Sequence, residues 1–140
     1  MEEKEQRETK LKVIVDTNVL FAPLQLRVDV FDELKKTLNR NFELILLSSV
    51  KKELESIVQT ASTKTRKQAA YALTLASNCK LIENHACPRT TTDEVIVEKA
   101  KEMKAIVFTN DKHLRKRLRD INVPVVYVRQ KKRLAIDGKV

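Results

Sequence analysis

The sequence predicts an α/β fold: a three-layer α/β/α sandwich around a central parallel sheet of four to five strands. Two observations carry this. Short apolar runs rich in β-branched residues recur along the chain, and amphipathic helical patterns separate them. Strands that are apolar throughout, rather than alternating, are covered on both faces, and the helices between them supply the cover and the crossovers. A third observation bounds the size, because 140 residues make one domain with a core of its own.

Residues 1–10 alternate acids, bases and polar groups and are expected to fray; they are too charged for a signal peptide. "LKVIV" (11–15) is the first strand, and Asp16 ends it abruptly. Val28, Phe31, Leu34 and Leu38 share one helical face. "LILL" (44–47) is the second strand, followed by a helix on Val50, Leu54, Ile57 and Val58. Ala69, Ala70, Leu73 and Ala76 predict a further helix, and "CKLI" (79–82) a weaker strand. A polar loop over 83–92 leads into a helix on Ile96, Ala100 and Met103. "AIVF" (105–108) is a strand, Leu114, Leu118 and Ile121 mark the last helix, and "PVVYV" (124–128) the last strand. Residues 129–140 read as a loose basic tail, so the folded domain is expected over 11–128.

Composition excludes several classes. Gly138 is the only glycine, so a P-loop or a GxGxxG dinucleotide site, both of which need close backbone approach, is ruled out. No apolar run approaches the roughly 18 residues of a membrane span. Two cysteines, Cys79 and Cys87, make no disulfide framework, which points to a reducing cytoplasm. Net charge is +9, concentrated at the end: residues 111–140 hold ten Lys or Arg against three Asp. Such a region suits a polyanion, nucleic acid before membrane.

In an open parallel sheet, ligands sit beyond the carboxyl ends of the strands. Asp16 lies just past the first strand and Asp111 just past "AIVFTN". Glu53 stands in the first turns of the helix after "LILLSS", and Asp93 in the first turn after the polar loop. With right-handed crossovers, all four converge on one side. Each has a plainer reading too. Asp16 and Asp111 occupy helix-cap positions, Asp93 and Glu94 suit a helix dipole, and "TTDE" from Thr91 reads as a capping box. Glu53 differs, because it sits on the shoulder of an apolar face, where a carboxylate is costly unless paired or coordinating.

Four acids at one edge, with no His or Lys among them, repel unless a cation joins them. An all-oxygen site selects Mg²⁺ or Mn²⁺ over zinc, and one or two such ions favour water attacking a phosphodiester. No Ser–His or Cys–His pair offers a rival nucleophile. Lys112, Arg115, Lys116 and Arg119 form a basic stripe after Asp111, and Arg129, Lys131, Lys132 and Arg133 extend it. Apart from phosphate contact, the alternative is a solvated face.

These stretches resemble the PIN domain, the nuclease fold of VapC-type toxins and rRNA-processing endonucleases. "VIVDTNVL" is similar to its first motif, "LSSVKKEL" to its second, and "TTTDEVIVEKAKEMKAIVFTNDKHLRKRL" to its third and fourth. The resemblance implies a Mg²⁺- or Mn²⁺-dependent endoribonuclease with Asp16, Glu53, Asp93 and Asp111 as the metal site. Asn18 and Thr109 fall at supporting polar positions, and Glu94 where the archaeal and rRNA-processing branches often carry a second Asp. The partners it implies are RNA and either an antitoxin or a ribosome-assembly factor; a homodimer is open, and no membrane is expected. "VPVVYVRQKKRL" looks more like the rRNA-processing branch, some members of which bind zinc near this loop. Here Cys79, His85 and Cys87 lack a fourth ligand, so zinc is not expected. A haloacid-dehalogenase phosphatase needs DxD where this chain reads Asp16-Thr17-Asn18, and a receiver domain needs paired acids. The competing function is a PIN fold that binds RNA as a ribosome-assembly factor and cuts little or nothing.

Overall fold

The computed structural model describes residues 10–26, 29–84, 90–130 and 133–140. Six strands form one sheet in the order β3-β2-β1-β4-β5-β6: β1 (Leu11–Val15), β2 (Phe42–Leu47), β3 (Lys80–Ile82), β4 (Ile106–Phe108), β5 (Val125–Arg129) and β6 (Arg133–Asp137). The first five are parallel. Val13, Ile14, Val15, Ile45, Leu47, Val107, Phe108, Val125 and Val126 are fully buried, as runs covered on both faces require.

Six helices cover the sheet: α1 (Thr17–Leu26), α2 (Val30–Leu38), α3 (Ser48–Thr60), α4 (Thr63–Ala76), α5 (Thr92–Met103) and α6 (Lys112–Asp120). Right-handed crossovers put α1 to α4 on one face and α5 and α6 on the other. No helix among the described residues is long and apolar enough to cross a membrane. Local chemistry sets the helix starts. Asp29 caps α2 by accepting from the Asp32 amide at 3.0 Å, and Thr91 caps α5 by accepting from the Glu94 amide at 3.2 Å. Helix α3 has no cap of its own. Asn84, two residues beyond β3, supplies one, its Oδ1 accepting from the Ser49 amide at 3.0 Å and the Ser48 hydroxyl at 2.8 Å.

Four details depart from the sequence reading. No apolar face marked helix α1, though the cap position at Asp16 allowed for a helix there; Pro23 within it lacks a backbone donor. The buried face of α4 is Ala69, Ala72 and Ala76, with Ala70 exposed. Ile121 lies just past α6 and is 37% exposed rather than part of its apolar face.

The fourth departure is the tail, which is not loose. Arg133–Asp137 pairs antiparallel with β5 as a sixth strand beyond the expected parallel ones. The reason is visible in its alternation: Leu134 and Ile136 pack on the core. Asp137 turns the other way, Oδ1 at 3.2 Å from Arg119 Nε and Oδ2 at 3.5 Å from Arg115 Nε. Gly138 then takes φ +106°, a conformation in which a Cβ would meet the Arg119 guanidinium. The one glycine of the chain is where the strand must turn against an arginine.

Candidate functional site

Strand β1 lies between β2 and β4, and the chain leaves it in opposite directions on its two sides. A crevice opens at such a switch point, beyond the carboxyl ends of β1 and β4. Asp16 stands there, its amide bonded to the Phe108 carbonyl at 3.0 Å. The residue is 6% exposed. Oδ1 accepts from the Thr17 amide at 2.7 Å, and Oδ2 accepts from the Thr109 hydroxyl at 2.7 Å and the Asn18 amide group at 3.2 Å.

Hydrogen bonds of Asn18 and Thr109 tie the two strand ends together. Thr109 is fully buried and accepts from the Asp111 amide at 3.1 Å. Asn18 Oδ1 accepts from the Asn110 amide at 3.0 Å, and Asn110 Oδ1 accepts from the Val128 amide at 2.8 Å. The loop that carries Asp111 is thereby fixed to β1 and to β5. Asp111 caps α6, Oδ1 accepting from the amides of His113 at 2.9 Å and Leu114 at 3.3 Å. The capping role expected for a plain structural residue is real, and it uses only one of the two oxygens.

Glu53 is exposed, which corrects the expectation of a costly burial on an apolar shoulder. It faces the crevice nonetheless. Oε1 accepts from the Thr17 hydroxyl, and Oε2 accepts from the Thr92 hydroxyl at 3.3 Å. Thr92 belongs to the first turn of α5, next to half-buried Asp93. Glu94 is exposed and outside this network.

The acids feel one another. Burial raises the Asp16 pKa above its ordinary value, against the lowering effect of the Thr109 and Thr17 bonds, and Asp93 and Glu53 push it further up. Asp93 is raised by burial first, then by Asp111 and Glu53, while Arg117 and His113 pull it back. Among the described residues, no three His, Cys, Asp or Glu side chains close around one point. Like charges hold one another off, and hydroxyl and amide donors occupy the oxygens of Asp16 and Glu53 instead. Carboxylate and hydroxyl oxygens, without nitrogen or sulfur, suit a hard divalent ion rather than zinc.

Sequence reasoning missed Thr17, Thr92, Asn110, His113 and Arg117. The two threonines had a signal, since each adjoins a predicted acid. Arg117 follows His113 by one helical turn, so both reach the same neighbour.

The basic stripe divides. Lys112 and Lys116 are exposed. Arg115 and Arg119 are half-buried and held by Asp137, and Arg115 also lies over the Tyr127 ring, 4.0 Å from its centre. Arg129 and Arg133 are exposed and paired in register where β5 meets β6. Lys131, Lys132, His85 and Cys87 fall outside the described residues. Cys79 is half-buried against the core, and burial pushes its thiol up to about 11, which suits a neutral core residue.

Raised carboxyl values have a stability consequence. A carboxyl group with a folded pKa above its unfolded one stabilises the fold below the unfolded value of about 3.8, and that contribution is lost as pH rises through the folded value. Asp93→Asn removes the charge without removing a described side-chain hydrogen bond. The variant should therefore melt above the wild type near neutral pH in a chelator. The difference should vanish as pH falls past the ordinary carboxyl range, where Asp93 is neutral anyway. Calorimetry across that range checks it, and a difference independent of pH would mean that Asp93 is not crowded by its neighbours.

Residues 13–131 match the family described as PIN like domain. Ribonuclease VapC4 of Methanocaldococcus jannaschii is 38% identical over 132 residues, 92% of this chain and 98% of that protein. Ribonuclease VapC9 of Archaeoglobus fulgidus is 29% identical over 138 residues, 98% of each. Among solved structures, that of the PIN domain endonuclease Utp24 superposes with a TM-score of 0.75 at 26% identity, covering 92% of both chains.

Proposed function

The chain belongs to the PIN like domain family, and from that premise we propose that it is a divalent-metal-dependent endoribonuclease of the cytoplasm. The observation that carries the reading is Asp16, a nearly buried carboxylate at the switch point, pushed toward protonation by burial and by Asp93 and Glu53. Relatives named as ribonucleases over nearly their whole length support it.

Asp16, Glu53, Asp93 and Asp111 are the residues that would hold Mg²⁺ or Mn²⁺. The chemistry such an ion supplies is a more acidic water and a counter-charge for the phosphate. The chain supplies the rest. Thr109 and Asn18 orient the Asp16 carboxylate, and the cap at Asp111 fixes that group at the start of α6. Arg117, whose charge acts on Asp93, would offset excess negative charge there and, with His113, would meet a phosphate. Lys112, Lys116, Arg129 and Arg133 are exposed cations that would hold the flanking RNA, joined by Lys131 and Lys132. Arg115 and Arg119 would reach RNA only by exchanging Asp137 for phosphate.

The experiment is cleavage of an internally structured RNA, labelled at both ends, in Mg²⁺, Mn²⁺ or a chelator. Cuts at internal bonds that stop in chelator are expected. Binding without cleavage in any metal would make the protein an RNA-binding assembly factor. A toxin and an rRNA-processing enzyme would share this chemistry and differ in partner, an antitoxin or a ribosome-assembly factor. Co-purification from the native cell separates them.

A further inference from the structure

The opposite edge of the sheet carries the opposite charge. A groove of about 890 Å³ opens between Lys10, the turn from α2 into β2, and the residues entering β3. Lys10, Lys35, Arg40 and Lys80 line it against one acid, Glu43, and all four cations are exposed. Among the described residues, none of the four lies within ion-pair distance of a carboxylate. Asn39, Asn41 and Asn78 add carboxamide donors. Leu11 lines the next cleft along the same edge, where Lys101, Lys104 and Lys139 continue the charge. At about 3.3 Å per extended residue, Lys10 is about 20 Å from Asp16, on the far side of the sheet.

We propose that this amino-edge groove binds the phosphodiester backbone of RNA at a point remote from the acid edge. The substrate is then a folded RNA that reaches both edges of the domain, rather than a short single strand. This rests on the proposed ribonuclease function. Four exposed cations facing a single acid, with carboxamides between them, suit a phosphate backbone. The acid edge repels RNA on its own, so affinity has to come from elsewhere on the molecule.

The test compares the full chain with a variant carrying Lys10→Gln, Lys35→Gln, Arg40→Gln and Lys80→Gln. A second variant, Lys10→Arg, Lys35→Arg and Lys80→Arg, keeps the charge. Two probes are used: an RNA hairpin long enough to span both edges, and a short oligonucleotide that only fills the acid edge. Hairpin affinity should fall about tenfold or more in the Gln variant, and the log–log salt slope should drop by roughly 0.7 to 0.9 per lost contact. Cleavage of the short oligonucleotide should be unchanged, and the Arg variant should bind the hairpin like wild type. Hairpin binding by the Gln variant equal to wild type overturns the proposal. So does displacement of the hairpin by polyglutamate as effectively as by RNA of equal charge, which would give the groove to an acidic protein. If the wild type cuts no RNA, the ribonuclease reading fails, while hairpin binding still decides the groove.

Discussion

Asp16→Asn should abolish RNA cleavage, lowering the rate at saturating RNA by about a thousandfold or more, which is roughly 4 kcal/mol of barrier. RNA binding should stay near wild type, because no phosphate contact is assigned to this nearly buried group. The substitution is close to isosteric, but the network is not indifferent to it. Both carboxylate oxygens accept hydrogen bonds, from Thr17 on one side and from Thr109 and Asn18 on the other. An amide must aim its NH₂ at one of these sets, setting donor against donor beside Thr17 or Asn18. That loss opposes the gain from removing a crowded charge, so the melting temperature should move little. Cleavage and gel-shift assays on the same preparation read both effects. Wild-type cleavage by the variant would remove Asp16 from the chemistry.

Phe108→Ala should cost about 3–5 kcal/mol of stability, a large part of what holds a domain of this size. Phe108 is fully buried at the end of β4, and its carbonyl accepts the Asp16 amide. The cavity would form directly under the crevice, so loss of packing and loss of site geometry should occur together. Denaturant unfolding measures the first, and cleavage by the fraction still folded measures the second. A cost below about 1 kcal/mol would mean that the site collapses around the gap without loss.

Much of this was legible in the sequence because apolar runs and acids are strong signals. The strand ends at Val15 and Phe108 set the positions of Asp16 and Asp111, and parallel pairing with β1 in the middle brought them together. What was hidden depended on partners far along the chain. Arg115 and Arg119 have the helical spacing of a phosphate stripe, and only the sixth strand reveals Asp137 between them. That strand was obscured by the cations around it, although Leu134 and Ile136 carry the period of a half-buried strand. Glu53 was placed at the correct edge by its position in the first turns of α3, whereas the burial expected of it was mistaken. Its exposure makes burial irrelevant, and the hydroxyls of Thr17 and Thr92 are what turn it toward the crevice. The cap that Asn84 lends to α3 could not be read locally, since the two segments meet only in the fold.

The central claim is that four acids at the carboxyl edge form one divalent-ion site. The most direct measurement is titration of Mn²⁺ into the metal-free protein, followed by calorimetry and by the electron paramagnetic resonance of unbound ion. Wild type and the single variants Asp16→Asn, Glu53→Gln, Asp93→Asn and Asp111→Asn are compared under the same conditions. Saturable binding by wild type, weakened in every one of the four variants and weakest in Asp16→Asn, is the predicted result. Binding that survives unchanged in Asp16→Asn and Asp93→Asn, or no saturable binding by wild type, would contradict it.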